Sequence, residues 1–158
     1  MGQEIERKFL VRNEKYKEIS SRKLIKQGFL NLGPLSVVRV RIIDTSAWIT
    51  IKGESEGIVR AEFEYEIPLA DAKYMLINLC HQPIIEKVRY QLKYRDHIWE
   101  IDEFTGENEG LVIAEVELKS QNEKLELPEW VGPEVTKDNR YYNNNLIVNP
   151  YLSWKTNK

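Results

Sequence analysis

The sequence predicts a mainly β (α+β) fold: an eight-stranded antiparallel β-barrel, or tunnel, with a charged lumen and a few flanking helices. Short segments alternate charged and apolar residues with a period of two, so each strand has one charged face. Like charges are grouped within strands, as in Glu4-Ile5-Glu6 and Arg39-Val40-Arg41. Like charges one pleat apart repel each other, so a surface with no functional role would be expected to mix positive and negative residues. A closed barrel with the charges inside and the apolar faces outside accommodates both patterns.

Each element follows from this alternation and from the turn residues between segments. The eight predicted strands cover residues 3–11, 23–31, 35–43, 46–52, 58–67, 84–95, 97–104 and 111–119. Helical spacing is limited to residues 14–20 behind Asn13 as N-cap, residues 69–79 and residues 143–148. The chain beyond residue 121 is mixed, with Pro128, Pro133 and Pro150 limiting long elements. With no repeat or linker, residues 1–158 are predicted to form a single domain.

The composition narrows the class of protein. A chain of 158 residues with 42% hydrophobic and 30% charged residues is typical of one globular domain. The net charge of −2 and the lack of a long basic block disfavour a nucleic-acid partner. Cys80 is the only cysteine, which excludes an intrachain disulfide and a cysteine-based metal site. With no leader and no apolar run of about 20 residues, we expect a cytoplasmic protein without membrane contact.

The inward-facing residues form two chemically distinct groups. The acids are Glu4, Glu6, Glu62, Glu64, Asp102, Glu115 and Glu117. The bases are Lys8, Arg39, Arg41, Lys52, Lys87 and Arg89. A lumen filled only by these groups would carry a heavy desolvation cost, which a wet interior with a ligand would relieve. Carboxylates suit hard cations such as Mg²⁺ or Mn²⁺, and Arg and Lys suit phosphate oxygens. This combination is typical of phosphoryl transfer or phosphoanhydride hydrolysis.

At these residues the chain resembles the triphosphate tunnel metalloenzymes, also called the CYTH superfamily, in its short bacterial-type inorganic triphosphatase form. The resemblance begins at Glu4-Ile5-Glu6-Arg7-Lys8 and runs through nearly the whole chain. The further matching segments are Gln27-Gly28, Val38-Arg39-Val40-Arg41, Thr50-Ile51-Lys52, Glu62-Phe63-Glu64, Glu86-Lys87-Val88-Arg89, Glu100-Ile101-Asp102-Glu103-Phe104, Ala114-Glu115-Val116-Glu117 and Glu134-Val135-Thr136. The family fold is an eight-stranded tunnel that binds triphosphates with divalent metal.

The resemblance implies a role for each matching residue. Glu4, Glu6 and Glu117 are expected to hold a metal that activates water, with the phosphates holding most of a second ion. The expected triphosphate ligands are Lys8, Arg39, Arg41, Lys52, Lys87 and Arg89. The expected supporting residues, which would orient these bases or contact metal-bound water, are Glu62, Glu64, Asp102 and Glu115. Glu4, Glu6, Lys8, Lys52 and Glu117 are the expected catalytic set. Many relatives carry Tyr where this chain has Phe29, so a role of that phenol cannot operate here.

The leading functional hypothesis is metal-dependent hydrolysis of inorganic tripolyphosphate to pyrophosphate and phosphate. Three organic-triphosphate activities remain alternatives within the fold: nucleoside triphosphatase, thiamine triphosphatase and adenylyl cyclase. A non-catalytic polyphosphate-binding module and a structural β-protein with salt-bridge ladders are alternatives of other classes. The expected partner is a small triphosphate, and the chain is expected to be a monomer or homodimer.

Overall fold

Nine strands and a few short helices account for most of the chain, and a computed structural model describes residues 2–154. The strands are β1 (Gly2–Val11), β2 (Ser21–Leu32), β3 (Ser36–Ile43), β4 (Ser46–Gly53), β5 (Val59–Ile67), β6 (Ile85–Tyr94), β7 (His97–Phe104), β8 (Val112–Glu117) and β9 (Val131–Glu134). The α-helices are α1 (Leu69–Asn78), α2 (Asn143–Val148) and α3 (Tyr151–Trp154). Single 3₁₀ turns lie at Lys15–Glu18, Gly106–Asn108 and Asn139–Tyr141.

Eight of these strands close into an antiparallel barrel, as the sequence predicted. The order is β5-β4-β3-β2-β6-β7-β8-β1, and β5 pairs back onto β1. The seam is short, because only Gly2–Ile5 of β1 pair with β5. The second half of the same edge of β1 is covered by the four-residue strand β9, whose following residue, Val135, donates its N–H to the carbonyl of Lys8 at 2.8 Å. The barrel is therefore sealed by two different strands along one edge of β1.

The outer wall is covered by apolar clusters in two places. Beside β1, β7 and β8, the buried residues Phe9, Tyr16, Trp99 and Trp130 pack together, with ring centroids 5.4–5.7 Å apart. On the opposite side, α1 packs against β3 and β4 through Ala72 and Leu76, in a cluster that includes Val40 and Ile42. The apolar half of the alternation thus faces outward along most of each strand, as predicted.

One end of the barrel interior is apolar and is filled by α2. Leu146 and Ile147 of this helix are buried in a cluster with Phe29, Ile85 and Phe104. These strand residues face inward, because Phe29 lies opposite Arg39, Ile85 opposite Gln27 and Phe104 opposite Lys87 in the register. We call this region the apolar end. The charged lumen therefore occupies only part of the barrel.

Several predicted elements are corrected by the structure. Residues 14–20 form only a 3₁₀ turn, Lys15–Glu18, and the cap position is Glu14, although the Asn13 side chain accepts a bond from the Lys15 N–H at 3.0 Å. Strand β9 was missed, because four residues containing Pro133 carry almost no alternation. The short helix α3, Tyr151–Trp154, was also missed. The boundaries of the other strands and helices agree to within a few residues. Within residues 2–154, no helix is both long and apolar enough to cross a membrane.

The docking of α2 in the apolar end predicts a large effect of truncating Leu146, which is fully buried there. We expect Leu146→Ala to reduce the free energy of unfolding by about 2–5 kcal/mol, through lost burial and a residual cavity. Val148→Ala in the same helix is the matched control, because Val148 is 71% exposed, and should cost less than about 1 kcal/mol. Chemical denaturation measures both variants. An equal loss of stability in the two would contradict the docking of α2.

Candidate active site: a charged cavity inside the barrel

The charged part of the lumen is a cavity of about 280 Å³. Residues of all eight barrel strands reach it, so its walls come from segments far apart in the sequence. The predicted residues that line it are Glu4, Glu6, Lys8, Arg39, Arg41, Lys52, Glu62, Glu64, Lys87, Arg89, Glu115 and Glu117. Asp102 is the one predicted residue outside the lining, and it lies fully buried behind Lys87 and Arg89. Arg7 has the opposite parity to Glu6 and Lys8 in β1, so it points outward, where it pairs with Glu134 at 2.6 Å.

Lys8 lies between two glutamates. Its Nζ is 3.1 Å from Glu6 and 3.0 Å from Glu115, which is opposite Lys8 in the register of β1 and β8. Burial and the charge of Glu115 raise the pKa of Glu6 to about 8, despite Lys8. Burial would also raise the pKa of Glu115, but Lys8 and a hydrogen bond from Glu6 hold it well below its ordinary value. The two carboxylates therefore share one proton, which resides on Glu6 at neutral pH.

Lys52 repeats this arrangement on the other side of β1. Its Nζ is 2.8 Å from Glu4 and 3.5 Å from Glu62. Burial opposes ionisation of Glu4, but Lys52 and a hydrogen bond from Glu62 lower its pKa to about 2. The same hydrogen bond, with burial, raises the pKa of Glu62 to about 7. Each lysine thus neutralises one carboxylate of a pair, and the second carboxylate, with its raised pKa, holds its proton to a higher pH than usual.

Asp102 anchors the third group of charges. Its carboxylate accepts two bonds from Arg89, at 2.8 and 2.9 Å, and lies 2.7 Å from the Nζ of Lys87. Burial would raise the pKa of Asp102, but Arg89 and Lys87 lower it strongly. Burial and the nearby positive charges of Arg89 and Arg41 outweigh Asp102 and lower the pKa of Lys87 to about 7. Glu100 lies 3.3 Å from Arg89 on the side away from Lys87, so Asp102 and Glu100 together compensate the two cations.

Arg39 and Arg41, on β3, are only partly compensated by the carboxylates of the cavity. Arg39 donates to Thr50 at 3.1 Å and lies 3.5 Å from Glu64, but its buried Nε has no partner. Arg41 makes no ion pair with any residue in the described part of the chain, and its Nε donates to the Gln27 side chain at 2.8 Å. Burial lowers the pKa of both arginines, and neighbouring arginines lower it further. An anion in the cavity would relieve this repulsion.

Some cavity residues were missed by sequence reasoning. Arg60 and Glu100 line the cavity and have the same parity as Glu62 and Asp102, so the alternation carried a signal for both. Tyr142 and Asn143 come from the segment leading into α2, and no periodicity marks them. Tyr142 places its ring 5.3 Å from the Nζ of Lys8. Gln27, fully buried, was matched as part of a motif but assigned no role.

The carboxylates at the end of the cavity away from α2 fit a hard divalent cation by their chemistry. Glu6 lies opposite Glu117 in the register, and Glu4 is on the same face of β1. Burial, together with the charges of Glu4 and Glu100, raises the pKa of Glu117, which reflects crowded negative charge. Within residues 2–154, no three carboxylate, imidazole or thiol side chains are close enough to hold a metal ion by themselves. Ligand oxygens would have to complete the coordination, as Mg²⁺ commonly requires.

Comparison with known proteins supplies independent evidence on the family. The CYTH domain profile matches residues 2–144. An inorganic triphosphatase of Acetivibrio thermocellus is 48% identical over 155 residues, which cover 98% of this chain and 99% of that protein.

Solved structures agree with this assignment. The crystal structure of an inorganic triphosphatase is 32% identical, with a TM-score of 0.67, and the match covers 91% of this chain and 97% of that one. The PH1012 protein from Pyrococcus horikoshii is 21% identical, with a TM-score of 0.57 and coverage of 75% and 80%, and supports the fold alone. The resemblance first drawn from the motifs is confirmed, and this chain belongs to the CYTH domain family.

Proposed function

We propose that this chain hydrolyses inorganic tripolyphosphate to pyrophosphate and phosphate with the help of a divalent metal. The observation that carries the proposal is the convergence of two arginines without full compensation and of Lys8, Lys52 and Lys87 on one small cavity. The cavity, about 280 Å³ in volume, is lined mainly by charged side chains, which suits a compact polyanion. The 48% identical relative, itself named an inorganic triphosphatase, supports the same substrate.

The cations would bind the phosphate oxygens. Arg39 and Arg41 have guanidinium nitrogens not engaged by carboxylates, and their planar forks match pairs of phosphate oxygens. Lys8 and Lys52 each contact two glutamates, so they would exchange one of these for phosphate. Arg89 is fixed by Asp102 and also lies 3.3 Å from Glu100, so it would exchange the Glu100 contact for phosphate. Together these groups would stabilise the negative charge on the transferred phosphoryl group.

The family implies a divalent metal cofactor, and Glu4, Glu6 and Glu117 are the residues we assign to it, as Mg²⁺ or Mn²⁺. A divalent ion here would neutralise phosphate oxygens and lower the pKa of a water ligand. A second ion would be held mainly by the phosphates. Glu4 and Glu6 are occupied by lysines in the free protein. When Lys8 and Lys52 turn to the phosphates, these glutamates become free, so the two binding events would support each other.

Replacement of the assigned metal ligands tests the activity. With Mg²⁺ or Mn²⁺, we expect the purified protein to release phosphate from tripolyphosphate. Glu4→Gln or Glu117→Gln should reduce kcat/KM by at least about a hundredfold, since metal catalysis contributes several kcal/mol. Glu66→Gln is the matched control, because Glu66 is exposed near the end of β5 and does not line the cavity. A colorimetric phosphate assay with ATP as a second substrate measures all of them. Full activity in Glu4→Gln and Glu117→Gln would refute the metal assignment.

The uncompensated charge of Arg39 predicts a binding defect when it is removed. Hydrogen bonds to charged groups contribute about 1.5–3 kcal/mol, so Arg39→Gln should raise KM for tripolyphosphate by about 10–100-fold. Arg7→Gln removes an arginine that points out of the barrel and pairs with Glu134, and KM should stay unchanged. Steady-state kinetics at two ionic strengths measures both. Equal KM values in the two variants would argue against anion binding by Arg39.

The proton on Glu6 predicts pH-dependent metal binding. Because the pKa of Glu6 is raised from 4.5 to about 8, metal must displace a proton below that pH. In the metal-free protein, the stabilisation from this raised pKa is complete below about pH 4.5 and is lost as the pH rises through about 8. Glu6→Gln mimics the protonated form at every pH. We therefore expect Glu6→Gln to raise the metal-free melting temperature at about pH 9 but hardly at about pH 5.

The same scanning-fluorimetry series, repeated with Mn²⁺, completes this prediction. Wild-type protein should gain more thermal stability from Mn²⁺ at about pH 9 than at about pH 6, since the ion competes with the Glu6 proton. Glu6→Gln should lose this dependence on pH. A gain from Mn²⁺ that is the same at both pH values in the wild type would contradict a metal-ligating role of Glu6.

A further inference from the structure

Two neutral amides connect the cations of the cavity. The Oε1 of Gln27 accepts from the Nε of Arg41 at 2.8 Å, and its Nε2 donates to the Oδ1 of Asn143 at 2.6 Å. The same Oδ1 accepts from the Nζ of Lys87 at 2.9 Å. The orientation of Gln27 is determined, because arginine can only donate and the amide oxygen must therefore face Arg41. We call these two residues the amide bridge.

The neutrality of the amide bridge distinguishes it from the carboxylate contacts in the cavity. Lys8, Lys52, Arg39, Lys87 and Arg89 each have a carboxylate within 4.0 Å, whereas Arg41 is held by an amide. A carboxylate at Gln27 would orient Arg41 equally well but would cancel its charge. An amide uses only the Nε and leaves the remaining guanidinium N–H groups and the full positive charge for an anion.

The amide bridge also joins the C-terminal part of the chain to the cavity. Asn143 is the first residue of α2, and this helix is fixed by the burial of Leu146 and Ile147 in the apolar end. Gln27 is fully buried in β2, directly opposite Arg41 in the register. A rigid strand and a docked helix therefore position the two amides, and the amides position the cations.

We propose that Gln27 and Asn143 are positioning residues that hold Arg41 and Lys87 toward the substrate, and that Gln27 does so without neutralising Arg41. The inference rests on the proposed function, since it assigns the anion held by Arg41 as tripolyphosphate. Both residues affect substrate binding through the cations that they contact, and not through the reacting atoms. The docking of α2 is then a condition for tight substrate binding, as well as for stability.

A double-mutant cycle tests this role. Gln27→Met keeps the shape of the side chain and removes both hydrogen bonds, so KM for tripolyphosphate should rise by about tenfold, with a smaller change in kcat. Arg41→Gln should raise KM at least as much. Because Gln27 acts through Arg41, the double variant should have the KM of Arg41→Gln alone. Multiplying effects in the double variant, or an unchanged KM in Gln27→Met, would overturn the proposal.

A pair of asparagines in α2 provides the matched control. Asn143→Ala removes the acceptor shared by Gln27 and Lys87, and KM should again rise by about tenfold. Asn145→Ala removes only a bond to the Asn139 carbonyl in the same segment, and KM should not change. Melting temperatures report any loss of folding, and a rise in KM shared by both variants would indicate a general effect of helix damage and count against the bridge.

The failure of this inference can be distinguished from failure of the proposed function. If the wild-type protein releases no phosphate from tripolyphosphate with Mg²⁺ or Mn²⁺, the proposed hydrolysis is wrong. The same cycle is then measured as the dissociation constant of tripolyphosphate by calorimetry, and coupling between Gln27 and Arg41 is expected there too. If the wild type is active and the two substitutions act independently, the amide bridge alone is refuted.

Discussion

The compensation of buried charge is the constraint on which the rest of this structure depends. A lumen lined by lysines, arginines and glutamates is stable only if each charge finds a partner or loses its ionisation. Register provides the partners, because it places Lys8 opposite Glu115, Lys52 opposite Glu62 and Arg89 opposite Asp102. The raised pKa values of Glu6 and Glu62 provide the remainder, because they reduce the negative charge of these carboxyl groups near neutral pH. A slip of one residue in any of these pairs would turn the charged side chains out of the barrel.

This compensation also explains how a preformed cavity can remain ready for a ligand. Lysines and glutamates that satisfy each other in the free protein are the groups that would separate to meet phosphate and metal. Such an exchange replaces ion pairs by ion pairs. The protein side chains are therefore desolvated once, during folding, and not again on binding. Arg41 differs from these groups, because its partner is a neutral amide that positions the guanidinium without neutralising its charge.

Much of the fold and the composition of the site could be predicted from the sequence, since both depend on a period of two. Alternation identified the eight barrel strands and the inward direction of residues such as Glu4, Arg41 and Glu117. It could not identify Asn143, because the position of that residue depends on α2 packing against strands distant in the sequence. Nor could it give the protonation of Glu6, which follows from burial next to Glu115. The inward direction of Ile85 and Phe104 was not predicted either, because an apolar side chain can face either the lumen or the outer wall of the barrel.

The division of the barrel interior at α2 has a consequence for how the protein can change. Along a single strand, inward positions near the helix serve packing, as Phe104 does, while inward positions a few residues away serve chemistry, as Glu100 and Asp102 do. Substitutions at the first kind of position change stability, and they affect the site only through the docking of α2. At the second kind, neutral residues would relieve a costly environment and make the protein more robust while removing its ligand site. Substitutions that raise thermal stability are therefore tolerated at the apolar end of the barrel, whereas in the charged lumen they remove the ligand site.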